Sequence, residues 1–196
     1  RQIVDAISIQ EVRDLVNQMF LDDAVDFLED LPADVVRTIL NHSDHSTRNV
    51  INQFLKYAEN SAGSLMTVEF VSLFETMNCR DAIDMIRHSG VDKETIYNCY
   101  VTDTERHLTG AVSLRSILIS KPETLIGDIM HPNVISVPTN EDQEAIARTF
   151  QDYDLIALPV VDQESHIVGI ITIDDIVDVI EAEHTEDIEK MAAIKP

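Results

Sequence analysis

Three blocks of this chain occur twice, in the same order. "LMTVEFVSL" at 65–73 matches "IMHPNVISV" at 129–137, and "DAIDMIRHSG" at 81–90 takes the place of "EAIARTFQDYD" at 144–154. "YVTDTERHLTGAVSLRSIL" at 100–118 aligns with "PVVDQESHIVGIITIDDIV" at 159–177. Met66 and Met130 are 64 residues apart, whereas Gly110 and Gly169 are 59 apart. The five lost residues fall between a helix and the next strand, where loops vary most. Self-similarity of this kind restricts the fold before any other feature does, because both copies must adopt one plan.

Each copy reads strand, helix, strand, turn, strand, helix. "VSL" and "VISV" have the β-branched content of short strands. "DQEAIARTF" spaces Ala145, Ala147 and Phe150 as a helix does and carries acids in its first turn. "LPVVD" and "HIVGIIT" read as buried strands joined by a polar turn at Asp162 and Gln163. The closing helix is expected to begin after Thr172.

Residues 1–62 have a different pattern. Ser8 and Glu11 form an S-x-x-E capping box ahead of "VRDLVNQM". "LDDAVDFLEDL" sets Leu21, Val25 and Leu28 on one face, extended by Leu31, and Pro32 sits where a new helix would start. Val50, Ile51, Phe54, Leu55 and Ala58 share helical spacing. An all-helical domain is expected, with "NSAG" at 60–63 as the break before the repeat.

Apolar residues make up 44% of the 196, enough for a packed core. The net charge is −22, from 36 acids against 14 bases, which argues against nucleic acid or anionic lipid as the main partner. Cys79 and Cys99 match no CxxC pattern and read as reduced structural thiols of an intracellular protein. No signal peptide and no apolar run of about 18 residues is present, so a soluble chain is expected. The chain does not begin with methionine, and it reads as a segment of something longer.

Catalytic motifs are scarce. There is no Walker-type phosphate loop, and the five glycines, at 63, 90, 110, 127 and 169, cannot build a Gly-rich cradle. There is no G-x-S-x-G elbow. His42 and His45 are three apart, but "NHSDHS" reads as a helix end, and no His/Cys set has zinc spacing. "DTERHLTG" lacks the spacing of a calcium loop. No nucleophile and base pair stands out, so a non-enzyme is expected.

Two acidic clusters remain. One is Asp22, Asp23, Asp26, Glu29 and Asp30 on a single helix. The other is "DDIVDVIEAEHTEDIEK" at 174–190, eight carboxylates and one lysine in seventeen residues. Asp142, Glu144, Asp152 and Asp154 are candidates to lie near it. The plain alternative is a solvated helix face, but such faces are normally laced with lysines at i,i+4, and these are not. Carboxylates are the hard oxygen ligands of Mg²⁺ and Ca²⁺, and Mg²⁺ needs only one or two per ion because it keeps several waters.

The repeat resembles a tandem pair of CBS domains, through "HPNVISV", "LPVVD" and "IVGIITIDDIVD". The helical region, with "DDAVDFLEDLP" and "YAENSAGSLMT", resembles the N domain of MgtE-type magnesium transporters, and "DVIEAEHTEDI" adds to this likeness. The resemblance implies an α + α/β fold: an all-helical N domain at 1–62, CBS domains at 63–127 and 128–182, and a connecting helix at 183–196. It implies a magnesium channel whose cytosolic region senses Mg²⁺ at the cytoplasmic face of the membrane, with a transmembrane pore domain in the full-length chain. Carried over residue by residue, the metal-binding positions are Asp142, Glu144, Asp154, Asp175, Asp178, Glu183, Glu186 and Asp187, with Asp22, Asp23 and Asp26 in the N domain. In this scheme the acids repel one another until Mg²⁺ bridges them and the pore closes.

CBS pairs also bind adenine nucleotides, through a Ser or Thr followed three residues later by Asp. Thr172 and Asp175 fit that pattern. The first copy has Ser113 but Ser116 in place of the carboxylate, and retains Arg115 as a phosphate partner. ATP is therefore the candidate ligand of an alternative function, an adenine-nucleotide sensor, with Arg115 and Thr172 as its contacts. A dimerisation scaffold whose acids serve solubility is a further alternative. A homodimer through the CBS domains is expected in each case.

Overall fold

In a computed structural model, the described residues are 16, 19, 21–29, 31, 35–36, 39, 51, 56–90, 93–177 and 179–180. The chain divides into two compact units, Arg1–Glu59 and Asn60–Pro196. Ser8, Glu11, Pro32, His42, His45, Val50, Phe54 and Leu55 lie outside the described residues, as do Asp178, Glu183, Glu186, Asp187 and the whole stretch 183–196.

In the first unit, α1 (Leu21–Glu29) buries Ala24, Val25 and Leu28, with Leu31 half-buried beyond its end. That is the apolar stripe the i, i+3, i+4 spacing calls for. Val16, Ile39 and Ile51 are buried as well, whereas Ala58 is exposed and not helical.

The second unit holds the repeat. The first copy runs β1 (Phe70–Phe74), α3 (Cys79–Ser89), β2 (Thr95–Thr102), β3 (Leu108–Ser113) and α4 (Leu114–Ile119); the short α2 (Ala62–Leu65) precedes it. The second copy, after α5 (Ile126–Ile129), runs β4 (Val137–Pro138), α6 (Gln143–Tyr153), β5 (Ala157–Val161) and β6 (Ile167–Thr172), and a helix begins at 173. Each copy forms a three-stranded sheet, ordered β1-β2-β3 and β4-β5-β6. In each, the first pair is parallel, joined through a crossover helix, and the second is an antiparallel hairpin.

"VISV" forms less strand than its composition predicts. Only Val137 and Pro138 pair, with Val160 and Val161. Pro138 has no N–H to extend the ladder. In α6 the buried stripe is Ile146, Ala147 and Phe150, and Ala145 is only half-buried.

Alternation along β2 divides the core in two. Cys99 and Val101 point into the first copy's own core with Val71, Leu73, Ala82 and Ile117. Tyr100 points the other way, against Ala157, Ile167 and Ile170 of the second copy. Phe70 meets the Tyr100 ring edge-on, with centroids 6.1 Å apart. Burial pushes the Cys99 thiol up to about 12, so it packs as an inert apolar group.

The segment ahead of each copy is pinned to the other copy. Thr67 bridges Ile170 of β6, and His131 bridges Ala111 of β3. The N–H groups of Ala62 and Gly63 donate to the carbonyls of Glu141 and Thr139, each at 2.8 Å. Met66 and Met130 therefore lie on Gly169 and Gly110 respectively. A Cβ on Gly169 would meet Met66 Sδ at 2.6 Å, and one on Gly110 would meet Met130 Sδ at 2.6 Å. The Met and Gly positions that recur in the sequence thus meet reciprocally in three dimensions.

Candidate functional site

Two corresponding corners, where a last strand enters its helix, carry the residues of interest. At the first, Ser113 caps α4: its Oγ accepts from Ser116 N at 3.0 Å and lies 2.8 Å from Ser116 Oγ. At the second, Thr172 Oγ1 donates to Asp175 Oδ2 at 2.6 Å. The Thr172 amide points at the same oxygen from 3.4 Å. Thr172 is buried and Asp175 half-buried. The Asp175 carboxylate is thus turned back onto its own helix start, as in a capping box. The hydroxyl takes one of the two carboxylate oxygens, Oδ2, and orients the side chain.

A cleft of about 500 Å³ opens at the first corner, lined by Ser113, Arg115, Tyr97, Asn98, Leu118 and Ile156 among others. That is within the ordinary range of about 300–1,000 Å³ for small-molecule sites. Its walls are mostly apolar, with Arg115 as the cation. Thr172 is not one of them, so the two residues expected to contact nucleotide do not line one cleft. Tyr97, Asn98, Leu118 and Ile156 were not singled out in the sequence. Tyr97 and Ile156 occupy equivalent positions of the two copies and are 70% and 58% exposed, and aligning the copies offers that signal.

The acids are spread out. Asp142 caps α6, accepting from Glu144 N at 2.9 Å, and is exposed. Asp154 ends the same helix in the left-handed region, φ 50°, a conformation Asp tolerates better than most residues. Eleven helical residues separate them, about 16 Å of rise. One Mg²⁺, with ligands about 2.1 Å away, cannot take both. Glu144 is paired with Arg148 at 3.0 Å. Asp23 is exposed on α1, where Asp22 and Asp26 are also helical but their side chains lie outside the described set. Among the described residues, no three His, Cys, Asp or Glu side chains group to hold a metal ion. Asp142, Glu144 and Asp154 thus lie along one helix and Asp175 on the helix that follows β6.

Among the described residues, no helix is long and apolar enough to cross a membrane.

The CBS domain model matches residues 62–122 and 126–182, and the MgtE intracellular N domain model matches residues 1–60. The chain belongs to the CBS-domain family, with an MgtE intracellular N domain ahead of the pair. Among curated proteins, Magnesium transporter MgtE of Thermus thermophilus is 44% identical over 151 residues, covering 77% of this chain and 34% of that protein. Magnesium transporter MgtE of Enterococcus faecalis is 42% identical over 144 residues, covering 74% of this chain and 32% of that protein. The chain therefore spans about a third of the length of these relatives. A crystal structure of the soluble part of a magnesium transporter superposes with a TM-score of 0.88 at 38% identity, covering 90% of this chain and 69% of that one. The cytosolic domain of the Mg²⁺ channel MgtE in complex with ATP superposes with a TM-score of 0.86 at 36% identity, covering 91% and 73%.

Proposed function

We propose that this chain is the cytosolic Mg²⁺-sensing region of a magnesium channel or transporter. Mg²⁺ bound between acidic surfaces holds the region closed and shuts a pore carried by the full-length protein. The observation that carries this reading is the joint match: an MgtE N domain and a CBS pair, in one order, at 38% identity to the soluble part of a magnesium transporter. The charge of −22 supports it, since acids on separate elements repel until a cation bridges them. The proposed ligands are Asp142, Glu144, Asp154, Asp175, Asp178, Glu183, Glu186 and Asp187, with Asp22, Asp23 and Asp26 on α1. Because Asp142 and Asp154 cannot share an ion, we assign them to separate sites, each completed by water or by other elements.

The region would lie at the cytoplasmic face of the membrane, in a homodimer joined through the CBS domains. The exposed apolar side chains Tyr97, Leu118, Ile119 and Ile156 support such a contact. Function by binding, without catalysis, goes with this reading.

A second reading is supported by the ATP named with one structural neighbour and by the apolar cleft beside Arg115. In it, adenine nucleotide is the regulatory ligand and Mg²⁺ only its companion. Thermal unfolding separates the two. The Mg²⁺ reading predicts that MgCl₂ raises Tm beyond NaCl of equal ionic strength, and that Asp142→Asn with Asp154→Asn reduces the gain. A gain from ATP that persists in chelator, with none from Mg²⁺ alone, would establish the nucleotide reading instead.

A further inference from the structure

The turns that join the hairpin strands of the two CBS domains meet through a pair of stacked imidazoles. The His107 and His166 ring centroids are 4.7 Å apart and the planes are inclined by 17°. These residues occupy equivalent positions, and each is held by the aspartate that opens its own turn. His107 Nδ1 lies 2.8 Å from Asp103 Oδ2, and His166 Nδ1 lies 3.0 Å from Asp162 Oδ2. The same aspartates accept backbone N–H bonds from Glu105 and His107 on one side and from Glu164 and His166 on the other. The turns are cross-stitched beside the rings: Leu108 N donates to Ser165 O at 3.1 Å and Ile167 N to Arg106 O at 3.4 Å. The pair thus sits on the seam between the two domains.

We propose that the His107–His166 stack is a proton-sensitive latch between the two CBS domains, tight while it holds at most one proton and loosened by the second. Among the described residues, the charged groups facing it are few. Asp103 and Glu105 lie on the first turn with the exposed Arg106, and Asp162 and Glu164 lie on the second. The carboxylates reach the rings at Nδ1, at the ring edge. The Asp103 hydrogen bond raises His107 above the ordinary imidazole value, and Asp162 across the seam adds to this. What the carboxylates do not cover is the stacked face. One imidazolium on one neutral ring is an attractive cation–π pair. Two imidazoliums face to face at this distance repel, so the pair takes its protons in two coupled steps. Imidazole is the side chain whose charge changes in the range a cell traverses. This inference is independent of any Mg²⁺ or nucleotide site.

The test is amide exchange on the 196-residue chain across the seam, read at Leu108 and Ile167 and corrected for intrinsic rates. Protection at both is expected to fall by about tenfold or more between about pH 7.5 and about pH 5.5, the scale of a coupling above one pK unit. Val101 and Val160, inside the sheets, serve as controls and should hold. His107→Gln and His166→Gln each leave a single imidazole in the stack, and each should abolish the pH dependence while the control amides stay protected. Equal pH dependence in the parent and both variants, or no change in the parent, would overturn the latch.

Discussion

The two CBS domains share strand order, hairpin turns and reciprocal cross-domain bridges, yet their strand-to-helix corners carry different chemistry. The first corner is neutral, Ser113 with Ser116, and opens on an apolar cleft with Arg115 at its edge. The second is anionic, Thr172 with Asp175, and closes on itself. Duplication kept the capping geometry, because a helix start must satisfy its N–H groups whatever else it does. It did not keep the charge. The fold therefore rests on what the copies share, and the functional reading on where they differ. The proposed CBS-domain metal ligands belong to the second copy, from Asp142 onward.

The largest expected effect tests the shared part. Gly169→Ala would drive its Cβ to 2.8 Å from the Thr67 carbonyl as well as onto Met66, whereas on Gly110 the corresponding His131 carbonyl is at 3.1 Å. Met side chains can move aside; a bridged backbone cannot. Gly169→Ala should cost about 3 kcal/mol and Gly110→Ala about 1–2 kcal/mol in urea unfolding. Equal costs would show that the two seams are not distinguished by backbone approach.

Next come the corners. Thr172→Val removes a hydrogen bond to a carboxylate and should cost about 2 kcal/mol, against about 1 kcal/mol for Ser113→Ala, whose bonds are between neutral groups. Chemical denaturation without divalent cations measures both. A reversed order would mean that Asp175 is not held by Thr172 in solution.

The hairpin turns should respond alike. Arg106 and Ser165 adopt φ of 73° and 68°, each following a turn opened by Asp103 or Asp162. Glycine suits that region, so Arg106→Gly and Ser165→Gly should each stabilise by about 0.5–1 kcal/mol, read as a rise in Tm. Tyr100→Phe should change stability by less than about 0.5 kcal/mol or raise it, because the buried hydroxyl has no hydrogen-bond partner among the described residues.

The smallest effect is the pH dependence of the turn dyads. His107 holds the Asp103 carboxyl below its ordinary value, and Asp103 holds His107 above its own. Asp162 is likewise lowered: burial opposes this, but the His166 hydrogen bond and the turn amides prevail. The depressed carboxylates contribute stability present above about pH 4 and lost as pH falls through their folded values. The raised His107 contributes stability present below about pH 6.5 and lost as pH rises through its folded value. The first turn should therefore contribute most between those limits, and Asp103→Asn should flatten the parent's Tm profile there.

Much of this fold was legible because period and spacing encode it. The short apolar runs in "LPVVD" and "HIVGIIT", either side of a polar turn, mark β5 and β6, and the Met and Gly spacings mark the duplication. β4 is shorter than "VISV" predicts: only Val137 of that run pairs, and the strand continues into Pro138. The candidate site was less legible. Thr172 and Asp175 were found by pattern, but their mutual hydrogen bond, which engages the carboxylate, is a matter of rotamer. Tyr97 and Ile156 come together at the cleft only through the fold, and single exposed apolar residues carry no signal of their own.

The most direct test of the Mg²⁺-sensing account is small-angle scattering of this chain during a MgCl₂ titration, against NaCl matched in ionic strength. The account predicts a fall in radius of gyration with Mg²⁺ that NaCl does not reproduce and that Asp175→Ala combined with Asp178→Ala weakens. Superimposable curves in the two salts would contradict it.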